Sequence, residues 1–175
     1  MSQVIKAAIL GGIVLFVWSM VSWMALPWHM KTMHAFKDEC AVSCVLKDNV
    51  DYKGVYCLPS HFEGKESGQL TAFVSVVPNP APMNMKKMMV LAFGIQLIAA
   101  FLGAWLLSKT TGLGYLGRTA FAAVIGLLVG LEGHLSYWNW FGFSARYTAV
   151  MVADLLIAWT LAGAVMALVI KPNQE

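Results

Sequence analysis

Four apolar stretches of about twenty residues each constrain this chain more than any other feature, because that length lets a helix cross ~30 Å of hydrocarbon. They run from about Val4 to Leu26, Met88 to Leu107, Thr119 to Trp138 and Tyr147 to Ile170. Lipid offers no partner to a free backbone N–H or C=O, so such a stretch is expected to be helical throughout. Charge is clustered in the gaps. Lys86, Lys87 and Lys109 bracket the second stretch, Arg118 and Arg146 open the third and fourth, and Lys171-Pro172 stops the last. Pro27 ends the first, since its ring cannot continue the hydrogen-bond ladder. Trp28, Tyr137, Trp138 and Trp140 stand at the ends, where aromatic belts meet headgroups.

Composition agrees. Apolar residues make up 59% and charged residues 12%, against roughly half and a quarter in a soluble domain. The first stretch follows Lys6 as a signal peptide would. It is longer than a signal h-region, however, and Leu26-Pro27-Trp28 is no small-x-small cleavage site, so a retained helix is expected. The links 110–117 and 139–146 are short, which makes consecutive helices antiparallel. The expected fold is an all-α membrane protein with four transmembrane helices in an up-down bundle. Helix one lies in 1–26, a cap in 27–87, and helices two to four (about 88–107, 119–138 and 147–170) in 88–175.

The cap segment is too long to be structureless in a compact protein. Met33, Phe36, Cys40 and Cys44 fall on one stripe of a short helix at about 35–47, with Asp38 and Glu39 suited to a first turn and Asp48-Asn49 as a stop. Alternation at about 54–59 and 70–77 predicts a β-hairpin, turned by Ser60 to Gln69 with Gly64 and Gly68. Pro78, Pro80 and Pro82 make a stiff return to the membrane. A small helix-plus-hairpin cap on the bundle follows. Lys6, Lys109, Arg118 and Lys171 flank one side, and Lys31, Lys37, Lys86, Lys87 and Arg146 the other, a balance that leaves the positive-inside rule undecided. The signal-like first helix favours an extracytoplasmic cap and cytoplasmic termini in a bacterial-type cytoplasmic membrane.

Small residues recur four apart: Ala122, Gly126 and Gly130; Ala100 and Ala104 after Gln96; Ala158 and Ala162 after Asp154. Such faces let helices approach closely in lipid, most simply within one bundle. Antiparallel crossings place Glu132, His134 and Asp154 at similar depth near the cap-side rim, with Arg146 beside them. Ionisable groups there are costly and call for partners. His134 shares the Gly126/Gly130 face and Asp154 that of Ala158, so both are expected to face inward. Glu132, about 200° away from His134, faces elsewhere. Two readings stand: an ion pair of Asp154 with His134 or Arg146 that fixes helix register, or a site for a proton, metal or ligand.

A second cluster, His29, Met30, Met33 and His34, mixes imidazole and thioether donors and suits copper(I); Met83, Met85, Met88 and Met89 add thioethers at the far end of the same segment. The competing reading is plain packing, since methionine is a common gap-filler. Cys40 and Cys44, four apart on a helix, are poorly placed to pair with each other. With Cys57 they make three cysteines, an odd number that leaves a thiol over, and no Cys-x-x-Cys supports thiol redox chemistry. No Gly-x-Ser-x-Gly or phosphate loop occurs. A net charge of +3, dispersed, gives no nucleic-acid footprint. The expected role is a non-enzymatic accessory, assembly or binding protein whose partners are the bilayer and either another membrane protein or copies of itself. The alternatives are a copper- or other metal-handling protein and a small oligomeric proton-coupled transporter.

Overall fold

Helical propensity over long apolar runs gives four helices long and apolar enough to cross a membrane. The computed structural model describes residues 2–60 and 68–171. The helices are α1 (Ser2–Met20, continued by a π turn over Val21–Ala25), α3 (Met85–Leu107), α4 (Tyr115–Phe141) and α5 (Ala145–Val169). Between α1 and α3 lie a 3₁₀ turn (Met30–Thr32), the short helix α2 (Glu39–Asn49) and strands β1 (Gly54–Leu58) and β2 (Ala72–Val76). At 1.5 Å per residue, the 23 residues of α3, the shortest of the four spans, reach about 34 Å.

The chain forms two compact units, residues 1–33 with 84–175, and residues 34–83. In the first, α1 lies between α3 and α5, and α4 packs mainly on α5. Although α3 and α4 are joined by a short link, they touch little. The core is built of small residues around a few large ones: Ala7, Ala8, Ala100, Ala104, Ala158 and Ala162 with Leu15, Leu107, Trp159 and Met166. Trp159 is the central knob. A Cβ at Gly126 would lie 2.5 Å from its Cβ and 2.6 Å from the Leu155 carbonyl oxygen, and a Cβ at Gly103 would strike its ring. The small-xxx-small face of α4 is therefore an internal α4–α5 contact. The outward faces carry large exposed apolar side chains, among them Ile5, Ile9, Val90, Ile95, Ile98, Leu128 and Leu168. A protein dissolved in water rarely leaves so much apolar surface uncovered.

In the second unit, the Asp38 side chain accepts the Ala41 N–H at 2.9 Å and caps α2. That cap starts the helix at Glu39, four residues after the expected position, because an aspartate in extended backbone satisfies the first-turn donors better than a further turn of Ala35-Phe36-Lys37 could. Asp48 and Asn49 complete the last turn rather than stopping it, and Asn49 Nδ2 donates to the Val45 carbonyl at 2.8 Å. Strands β1 and β2 pair antiparallel from Gly54↔Val76 to Leu58↔Ala72. Most of the expected turn, including Gly64, lies outside the described residues, as does Pro172; Gly68 is described and adopts φ +88°. Val50 is the unit's one buried side chain among its described residues.

Candidate functional site

The last turns of α1 have a polar edge. Trp18 and Ser22 are four apart, so they share a helix face, and both turn toward α5. Both donate to one carboxylate oxygen, Oδ1 of Asp154, at 2.6 Å from Trp18 Nε1 and 2.7 Å from Ser22 Oγ. Asp154 lies on the face of α5 that also buries Ala158 and Ala162, and it retains 8% exposure. The second oxygen, Oδ2, stands 3.4 Å from His29 Nε2.

Proline shapes the other half of the site. Having no N–H of its own, Pro27 ends the hydrogen-bond ladder. Just before it the helix widens into a π turn in which the Leu26 N–H bonds the Val21 carbonyl at 3.0 Å. π turns of this kind are frequent at functional sites. The chain then folds back on itself. Trp28 Nε1 donates to Ser22 Oγ at 3.0 Å and lies 3.2 Å from the Ser22 carbonyl. His29 is 1% exposed, stacked on Trp23 at 4.0 Å and 4°, with Trp28 edge-on. The Thr32 hydroxyl and backbone N–H both bond the His29 carbonyl, at 2.7 and 2.9 Å, and close the turn.

The proton inventory follows from these directions. Ser22 gives its hydroxyl proton to Asp154, so its oxygen can only accept from Trp28 and from His29, 2.9 Å away. His29 therefore presents Nε2–H. Its Nδ1 is buried and has no hydrogen-bond partner among the described residues. Serine, histidine and aspartate are the residue types of a hydrolytic triad, but the wiring differs. In a triad the carboxylate holds the imidazole nitrogen opposite the one that serves the serine. Here both partners meet the same nitrogen, so no relay runs from Asp154 through the ring to Ser22. The arrangement acts as a buried latch that joins α1, the turn after it and α5.

The residues expected to pair with Asp154, His134 or Arg146, do not do so among the described residues, and no hydrogen bond or ion pair joins it to Glu132 there either. Glu132 and Arg146 are exposed, and His134 is half-buried on α4. The physical reason is the order of the helices: α1, not α4, lies against the Asp154 face. Of the proposed metal ligands, His29 Nε2 is engaged by Ser22 and Asp154, Met30 and Met33 are exposed, and His34 belongs to the second unit. No three His, Cys, Asp or Glu side chains stand close enough to hold a metal among the described residues. Trp18 and Ser22 escaped the sequence reading. Their signal was a serine one turn after a tryptophan within an apolar helix, since a buried indole N–H needs an acceptor.

These features define a chain with four helices long and apolar enough to cross a membrane and an internal carboxylate latch. Comparison with family models, curated proteins and solved structures finds no match.

Proposed function

We propose that this chain is a multi-pass integral membrane protein of a bacterial-type cytoplasmic membrane. It acts as a non-enzymatic accessory, assembly or binding protein, with residues 34–83 as its extracytoplasmic working segment. The observation that carries the reading is the engagement of Asp154. Its carboxylate is met by Trp18, Ser22 and His29 and is 8% exposed. A carrier that moves protons would need that group open to a water path, and a hydrolase would need Ser22 free to attack. A group committed to three internal partners instead fixes how α1 sits on α5, which is what a scaffold for another protein requires. The four apolar helices and their uncovered outward faces support lipid as the solvent.

The test is biochemical. Membranes from cells expressing the chain are washed with alkaline carbonate, solubilised in mild detergent and run on native electrophoresis. The reading expects the chain to stay with the membrane and then to migrate in a stoichiometric complex, with a second protein or with itself. A chain that washes off, or that runs as a lone monomer, contradicts it.

A further inference from the structure

Residues 34–83 form a unit with little core of its own. Val50 is its one buried side chain among the described residues, while Phe36, Tyr52, Val55 and Leu58 stay exposed. A two-stranded hairpin is marginally stable by itself and is completed by packing on a helix or on further strands. Within this unit the helix and the hairpin leave a gap. A groove of about 520 Å³ runs between α2 and the chain leaving β2, with Val77 and Pro80 on the far wall.

The wall contributed by α2 has a pattern. Glu39, Val42, Ser43, Leu46 and Lys47 line the groove, and their spacing of three and four is that of one helix face. Val42 and Leu46 are half-buried, and the small Ser43 lies at the centre. Glu39 and Lys47 close the two ends with opposite charges, about 12 Å apart at 1.5 Å per residue. Each suits its own end of the helix dipole. Neither has an ion-pair partner among the described residues, however, and both stand on the groove rather than on the far side of the helix.

Turned about a two-fold axis at Ser43, this face is complementary to itself. Glu39 of each copy comes opposite Lys47 of the other, so the ion pair forms twice. The two Ser43 side chains meet at the crossing, where small residues allow close approach, and Val42 and Leu46 are covered. A symmetric interface between identical surfaces requires this kind of self-complementarity. Antiparallel helices also set unlike dipole ends together.

We propose that the groove seats α2 of a second copy of the chain, the two α2 helices running antiparallel about Ser43. This deepens the accessory or assembly reading, on which it rests, by making the chain its own partner.

The test uses the full chain in its native membrane, carrying Cys40→Ser, Cys44→Ser and Cys57→Ser, with either Ser43→Cys or Val45→Cys added and diamide as oxidant. Ser43 and Val45 are both exposed but point about 200° apart, so random collision would crosslink them alike. The expected result is a covalent dimer from Ser43→Cys at about ten times the yield from Val45→Cys. Glu39→Lys or Lys47→Glu, each setting like charges opposite one another, should cut the Ser43→Cys yield about fivefold, and the two changes together should restore it. Equal yields from the two cysteines, no dimer from Ser43→Cys, or a yield indifferent to the charge changes overturns the proposal. Should the charge variants fail to fold, the two cysteine positions decide alone. A chain that migrates with a second protein, or as a dimer, yet gives no Ser43→Cys crosslink keeps the accessory reading and removes the α2 pairing. A chain that washes off the membrane defeats the underlying reading instead.

Discussion

Replacing Asp154 by alanine removes the acceptor on which the latch converges, and the structure sets the size of the loss. Oδ1 accepts Trp18 at 2.6 Å and Ser22 at 2.7 Å. Hydrogen bonds between membrane helices average about 0.6 kcal/mol and reach about 1.7, whereas bonds to charged groups in soluble proteins are worth about 1.5–3 kcal/mol. Two short bonds to one carboxylate belong near the top of the membrane range, so Asp154→Ala should cost about 2–3 kcal/mol. Ser22→Ala should cost less, about 1 kcal/mol, because fallbacks remain. Trp18 still holds Oδ1, Trp28 still has the Ser22 carbonyl at 3.2 Å, and His29 still faces Oδ2 at 3.4 Å. Reversible unfolding by denaturing detergent, followed by far-UV circular dichroism, gives both values. The double variant should fall short of the sum by about 1 kcal/mol, since the two residues share a bond. An Asp154→Ala protein within about 0.5 kcal/mol of wild type, or strict additivity, would refute the latch.

Gly126→Ala should destabilise by about 1–3 kcal/mol, because the new Cβ meets the Leu155 carbonyl and the Trp159 Cβ rather than a movable side-chain tip. Gly133→Ala, with nothing within 4 Å of its new Cβ, should change thermal stability by less than about 0.5 kcal/mol or raise it slightly; equal effects at the two positions would contradict the packing described. Cys40 and Cys44 are exposed and Cys57 is half-buried, so a maleimide should label the first two faster in the folded protein, and a faster Cys57 would be the contrary result. Metal analysis of the purified chain should find no stoichiometric copper, and His29→Ala with His34→Ala should leave the metal content unchanged; copper lost in that variant would restore the metal-handling reading.

What the sequence made legible was set by length and composition. Four apolar runs cannot be anything but long helices if lipid surrounds them, and alternation between turn residues marked the two short strands. Helix ends were read less well: α4 continues through Tyr137–Phe141 until Gly142 takes a left-handed turn at φ +72°, because aromatic residues at a membrane rim resemble a boundary without breaking a helix. Asp154 could be singled out because a carboxylate within an apolar run must find partners. Which partners it finds depends on neighbour order. Short links say only that consecutive helices are antiparallel, and they favour α4 as the neighbour of Asp154. The placement of α1 between α3 and α5 is a tertiary fact, and it brings Trp18, Ser22 and His29 to the carboxylate instead of His134 or Arg146.

The central claim is that four helices cross a bilayer, and labelling of single cysteines tests it most directly. If all four helices span, one of them separates residues 34–83 from the start of the chain, and α3 separates them from the link at Thr111. In cells expressing the chain, a membrane-impermeant maleimide should reach either native Cys40 and Cys44 or a cysteine placed at Thr111 in a cysteine-free background, and reach the other only after the membrane is opened. The account expects the native pair to be the one labelled in intact cells. Labelling of both positions from the same side would contradict it.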